Sequence, residues 1–400
     1  MSTLKTNSDN NVVYFQSGGP TAVINATFKG LFDAYLKDKN RGTFYVSRFG
    51  LTGLLENRLV EVNKDELPKL EYRPGSYWGS LRRKLPLDSS DPIAKTLMAN
   101  IKKNHIGYIF VNGGNDSMNT AYRISQYAKD YQMDVKVIGI PKTIDNDLYG
   151  CDHTPGFGTA AKFVANAVIA TSIDDKTYQK GRVNIIETMG RDSGFVAASA
   201  ILASLKGEKP DYIFVPEVPF SVDSFLEKVK ATYEKKGRCL VVVSEGIRDK
   251  DGVLIASDSA TKDAFNNAAV GGVGKYLSAL VDKAGMKTRG IELSVLNRAS
   301  GFLPSLVDVK EAEEVSAKAY EFALKGYTGV MVALGRKHSQ RYAPNYTKIN
   351  LEEVSDKVVT LPKKYINKAM DNITPSYIDY VAPLIKGNDI ALGKDGLMDL

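Results

Sequence analysis

Residues 141–147 read PKTIDND and follow the apolar run VKVIGIP. They bring a cation (Lys142), a hydroxyl (Thr143) and two carboxylates (Asp145 and Asp147) into one short turn of chain. Phosphoryl transfer needs these parts: positive charge on the moving group, carboxylates for a metal, and a base for the attacking hydroxyl. An Asx turn capped by the two aspartates would use the same residue types, but it leaves Lys142 without a purpose.

Four further apolar runs end in loops of the same chemical kind: SGGPTAVIN from Ser17, GGNDSMNT from Gly113, GRDSG from Gly190 and EGIRD from Glu245. In open parallel sheets, ligands collect beyond the carboxyl ends of the strands, so five such ends read as one site. SGGP offers backbone N–H groups to an anion at a helix start, although Gly-Gly and Gly-Pro are also ordinary turn punctuation. Asp116 in GGNDS would repel a phosphate unless it met a metal or a lysine. Arg82, Arg182, Arg191, Arg289 and Arg298 follow strands or Gly-rich turns, and guanidinium suits bidentate phosphate binding. Together they point to a substrate with more than one phosphate.

The elements that must carry these loops are legible in the alternation of short β-rich runs with longer amphipathic stretches. Strands this apolar are buried on both faces, and alternation with helices implies right-handed parallel crossovers. The fold class read from this is α/β: two Rossmann-like, three-layer domains with parallel-rich sheets and the active site in the cleft between them. The 400 residues fit two domains. We expect a donor domain over 1–155, a sugar-phosphate domain over 156–310, and a segment 311–400 packing back on both.

With 43% hydrophobic and 25% charged residues, the composition is that of a globular protein. No apolar run reaches the length of a membrane span, and the start MSTLKTNSDNNVVYF lacks a secretion signal, so no membrane is expected. The net charge of +7 is spread along the chain rather than blocked, which argues against nucleic acid. Two cysteines, Cys151 and Cys239, exclude a disulfide framework and fit a reducing, cytoplasmic setting. GGVGKY at 271–276 lacks the first glycine and the Ser/Thr of a Walker loop and reads as a helix interior or cap; GFGTAA at 156–161 lacks the strand a nicotinamide fingerprint requires. His105, His153 and His338 form no ligand pair and read as structural or surface residues. No G-x-S-x-G elbow is present.

SGGP, GSLRRKL, GGNDS, PKTIDND, IIETMGRDSG, SEG and VLNR occur in an order and spacing that resemble the phosphofructokinase family, in its pyrophosphate-dependent branch, from Val12 to Gly387. The resemblance implies reversible phosphoryl transfer from pyrophosphate to the 1-hydroxyl of fructose 6-phosphate. It implies Asp145 as proton acceptor, flanked by Thr143 and Asp147, with Gly18 and Arg82 at the donor. It implies Met189, Gly190, Arg191, Glu245 and the segment from Val295 to Arg298 at the sugar phosphate. Arg182 and Arg289 match arginines that reach across a subunit boundary, so a homodimer with shared sites is the minimum assembly, and a homotetramer is the larger alternative.

Asp116 and Lys142 stand where ATP-dependent members carry glycines, which points to pyrophosphate by exclusion as well as attraction. The implied cofactor is Mg2+. Asn115 occupies the place of an aspartate associated with that metal, so ligands must come from an amide, water, or Asp145 and Asp147. Val295 replaces a histidine or tyrosine. An ATP-dependent member and a non-catalytic regulatory subunit on the same fold are the competing expectations.

Overall fold

The computed structural model describes residues 10–398 except 68, 263–267, 271, 338–340, 356 and 388–391. His338 therefore lies outside the described residues. Strands β1 (Asn11–Gln16), β2 (Phe44–Ser47), β3 (Leu59–Glu61), β4 (Ile106–Gly113) and β5 (Lys136–Pro141) share a sheet with two late strands, β12 (Val330–Arg336) and β13 (Pro344–Asn350). Its order is β13-β12-β5-β4-β1-β2-β3, parallel except for the edge strands β3 and β13. The second sheet is wholly parallel: β6 (Val183–Thr188), β7 (Tyr212–Phe214), β8 (Cys239–Ser244) and β11 (Thr288–Glu292), ordered β11-β6-β8-β7. A small hairpin, β9 (Ser257–Lys262) with β10 (Ala268–Val270), stands apart.

Both sheets are covered on both faces, which is why their central strands are apolar throughout. One face of the first sheet packs Val13, Phe15 and Ile109 against helices Pro92–Lys103 and Asn115–Asp130. The other packs Val12, Tyr14 and Phe110 against Ile24–Lys37 and Leu306–Leu324. The second sheet lies between Phe157–Lys176 with Ser376–Val381 on one side and Val222–Lys236 with Val273–Lys283 on the other. The fold is thus α/β with two three-layer bodies.

Local chemistry sets the helix starts. Asp91 accepts from Ile93 N–H with Pro92 at the first helical position; Ser221 accepts from Ser224 N–H and Ser305 from Asp308 N–H. The helix at Val273 opens on Gly272 with φ 79°, so the described part of the Walker-like run, from Gly272 to Tyr276, is a helix start. Likewise GFGTAA opens a helix from Gly156 with no strand before it. Buried Asp308 reaches out of its own helix to accept from Gly156 N–H and Thr159 N–H, both at 2.8 Å, and so fixes the start of Phe157–Lys176.

The chain leaves β1 toward β2 and leaves β4 toward β5, on opposite sides. The loops after β1 and β4 therefore diverge and open a crevice at the carboxyl edge.

Candidate active site

All five strand-end loops meet in one cleft of about 390 Å³. The first sheet contributes Gly18, Asn115, Asp116, Lys142, Thr143, Asp145 and Asp147; Arg82 comes from the long loop before Pro92–Lys103; Met189, Arg191, Glu245 and Arg298 come from the second body. Gly190 sits just behind, its N–H directed to Glu245 Oε1 at 3.3 Å. Arg182, Arg289 and Val295 lie outside this cleft. Arg182 and Arg289 are near Asp175 and Asp174 at the far end of Phe157–Lys176. Val295 is 55% exposed at the start of a short helix, Leu296–Ala299, whose Arg298 turns inward instead.

Lys142 is buried and spans the crevice, donating to Ser17 O at 3.0 Å and Gly19 O at 2.5 Å. Gly18, at φ 78°, occupies a backbone region that side chains rarely adopt, and a Cβ there would stand 3.5 Å from Lys142 Nζ. A Cβ on Gly19 would lie 2.7 Å from Arg298 Nη1 and 3.8 Å from Arg82 Nη2. The two glycines let three cations approach one loop. Burial, then Arg82 and Arg298, push the Lys142 ammonium down to about 7, and burial with Arg82 lowers Arg298.

The carboxyls are displaced in the opposite sense. Burial and the neighbouring Asp192 raise Asp145; burial and Asp145 raise Asp147; burial and Asp145 push Glu245 up to about 8. Burial thus disfavours charge on the Lys142 ammonium and on the neighbouring carboxyls alike. An anionic ligand restores the ammonium, and a cation restores the carboxylates.

Asn115 Nδ2 donates to Asp147 Oδ2 at 2.8 Å, while Asn115 Oδ1 and Asp147 Oδ1 are buried without a hydrogen-bond partner. Two orphaned oxygens beside Asp145 fit a hard divalent cation that keeps most of its water. Among the described residues no group of three or more His, Cys, Asp or Glu side chains forms a metal site, so any ion here relies on this sparse set.

Backbone geometry fixes the aspartates. Asn146 is left-handed at φ 58°; its side chain accepts from Thr154 N–H at 2.9 Å and donates to Tyr380 Oη at 2.7 Å. The turn after β6 is held from several directions. Met189 N–H reaches Asn297 Oδ1 at 3.1 Å, Ser244 Oγ donates to Gly190 O at 2.5 Å, and a Cβ on Gly246 would fall 1.8 Å from Arg191 O. Sequence reasoning missed Asp192, Ser117 and Val358, which also line the cleft. Asp192 and Ser117 stood inside quoted loops, whereas nothing in SDKVVT singles out Val358.

Buried aspartates and converging cations at the strand ends of two α/β bodies define a phosphotransferase. The phosphofructokinase family model matches residues 11–323, and the chain belongs to that family. A pyrophosphate–fructose 6-phosphate 1-phosphotransferase of Xanthomonas campestris is 35% identical over 399 residues, covering 98% of this chain and 95% of that one. A sulfofructose kinase of Alkalicoccus urumqiensis is 31% identical over 346 residues, covering 85% and 87%. The crystal structure of a pyrophosphate-dependent phosphofructokinase from Marinobacter aquaeolei superposes with a TM-score of 0.86 at 34% identity, covering 97% of this chain and 95% of that chain. No described helix is long and apolar enough to cross a membrane.

Proposed function

We propose that this chain transfers a phosphoryl group reversibly from pyrophosphate to the 1-hydroxyl of fructose 6-phosphate, giving fructose 1,6-bisphosphate and phosphate. The observation that carries the reading is the meeting of Lys142, from the first body, and Arg191 and Arg298, from the second, around Asp145. The Xanthomonas relative's name supplies the donor and acceptor.

Asp145 accepts the proton of the sugar's 1-hydroxyl as that oxygen attacks the terminal phosphorus. The bond from that phosphorus to the bridging oxygen breaks, and the electron pair leaves with phosphate. Lys142, Arg82 and the Gly18 loop hold the donor, and Thr143 and Asp147 frame the base. Arg191, Arg298 and the Met189–Gly190 turn hold the sugar phosphate, while Glu245 accepts from sugar hydroxyls. Asp147 and Asn115, whose Oδ1 atoms are buried without partners, would hold a divalent cation, Mg2+ in this reading, which would neutralise the donor oxygens. Asp116 narrows and charges the donor side against a nucleotide's additional phosphate, so Asp116 and Lys142 select pyrophosphate together.

Arg182 and Arg289, outside this chain's own cleft, complete a neighbouring site in a homodimer, or in a tetramer made of two dimers. The cytoplasm is the compartment where both substrates would be met.

Phosphorus NMR of the purified chain with pyrophosphate, fructose 6-phosphate and Mg2+ tests the reading. Loss of the pyrophosphate signal must match growth of a fructose 1,6-bisphosphate signal and of free phosphate. Faster turnover of a sulfonate-bearing fructose in place of fructose 6-phosphate would displace the acceptor assignment.

A further inference from the structure

Behind the two aspartates runs a closed ring of hydrogen bonds that crosses between the bodies. Ser193 Oγ donates to the Asp145 carbonyl at 3.1 Å. The next residue, Gly194, donates its N–H to Glu217 Oε1 at 2.8 Å. The same oxygen accepts Leu361 N–H at 2.6 Å. Two residues back from Leu361, Val359 N–H donates to the Asp147 carbonyl at 2.8 Å. The backbone from Asp147 to Asp145 closes the circuit.

Glu217 joins two chain segments, the sugar-phosphate turn after β6 and the segment 357–361, which also share a core cluster through Phe195 and Leu361. That segment is tied to the catalytic loop again by the antiparallel Leu148–Val358 bridge, and Val358 itself lines the cleft. The approach is close. A Cβ on Gly194 would lie 2.5 Å from Glu217 Oε2 and 2.6 Å from Val215 Cβ, so only glycine leaves both side chains in place. Oε2 is buried with no hydrogen-bond partner, which costs stability, while Oε1 alone accepts both backbone N–H groups.

We propose that Glu217 is a positioning residue for the phosphoryl transfer: through Gly194 and Leu361 it fixes the Arg191 turn and the Asp145–Asp147 loop relative to each other. The inference rests on the proposed function of the cleft. Glu217 touches no substrate; it acts by holding two backbones at the separation that near-attack geometry requires.

The test is steady-state kinetics on the purified full chain with pyrophosphate, Mg2+ and fructose 6-phosphate, beside thermal denaturation. Glu217→Asp keeps the charge but shortens the reach, and lowers kcat/KM for fructose 6-phosphate about tenfold or more. Glu217→Gln keeps an acceptor oxygen at the same reach and stays within about twofold of the parent. Ser193→Ala opens the ring at another link and also lowers kcat/KM, and the Glu217→Asp/Ser193→Ala double variant is no worse than the more impaired single, within about twofold. A merely structural glutamate would lower the melting temperature of Glu217→Asp and leave kcat and KM of the folded enzyme unchanged.

Parental kinetics in Glu217→Asp, equal impairment in Glu217→Gln, or losses that multiply would each overturn the proposal. If Glu217→Asp does not fold, parental kcat/KM in Ser193→Ala overturns it. An unmutated chain that fails to turn over these substrates sinks the underlying function instead, so the two failures are told apart.

Discussion

Lys142 donates to the Ser17 carbonyl at 3.0 Å, which fastens the residue after β5 to the loop after β1 across the opening of the first sheet. The ammonium is buried, and burial with the neighbouring Arg82 and Arg298 pushes its pKa down to about 7. A compact anion of high charge relieves all three cations at once. Lys142→Gly therefore lowers kcat/KM for pyrophosphate by about a hundredfold, and adding Asp116→Gly admits ATP turnover. Donor kinetics on the single and double variants check this; unchanged pyrophosphate kinetics in Lys142→Gly would remove the lysine from donor binding.

Asp145 carries the proton in the proposed reaction, and Ser193 and the left-handed Asn146 hold its backbone. Asp145→Asn keeps the shape and lowers kcat by about 10²- to 10⁴-fold with little change in either KM. A KM effect without a kcat effect would make Asp145 a binding residue only.

His153 links the loop after the aspartates to helix Leu306–Leu324. Nδ1 meets Asp152 at 2.7 Å, Nε2 meets Glu311 at 2.8 Å and Tyr342 Oη at 3.0 Å, and Arg336 bonds Asp152 from β12. Burial disfavours the charged ring, but the bonds to Asp152 and Glu311 outweigh it and raise the pKa from 6.5 to about 9. A raised pKa means the stabilisation is fully present below pH 6.5 and is lost as pH climbs through 9. The loss is at most on the order of 3 kcal/mol. Denaturation between those limits should show the decline, and His153→Gln should flatten it; parallel pH profiles would contradict this.

Helices Ile24–Lys37 and Leu306–Leu324 cross at Gly30, where a Cβ would lie 2.2 Å from the Glu313 carbonyl oxygen. Gly30→Ala forces the helices apart and destabilises by about 1 to 3 kcal/mol while leaving the cleft's chemistry intact. Urea denaturation measures the loss; an unchanged midpoint would mean the helices separate freely.

The site was legible where chemistry stands next to an apolar strand: PKTIDND, SGGP and GGNDS announce themselves by charge and glycine at strand ends. The central strands β1, β4, β5, β6 and β8 were legible because burial on both faces leaves them apolar throughout. The polar or short edge strands β13 and β3 were not, although the apolar edge strand β7 was. Half of β13, PNYTKIN, faces solvent and reads as polar loop, and β3 is three residues long. Glu217 was invisible because its partners are backbone N–H groups of Gly194 and Leu361, which carry no side-chain signature. Arg182 and Arg289 carry the right chemistry yet lie outside this chain's cleft, a placement that sequence spacing does not encode.

The central claim is that Lys142 and Asp116 make this cleft a pyrophosphate site. The measurement that tests it most directly is kcat/KM for pyrophosphate against ATP, with fructose 6-phosphate and Mg2+ saturating. The expected preference for pyrophosphate is about a hundredfold or more. Equal use of both donors, or a preference for ATP, would contradict it.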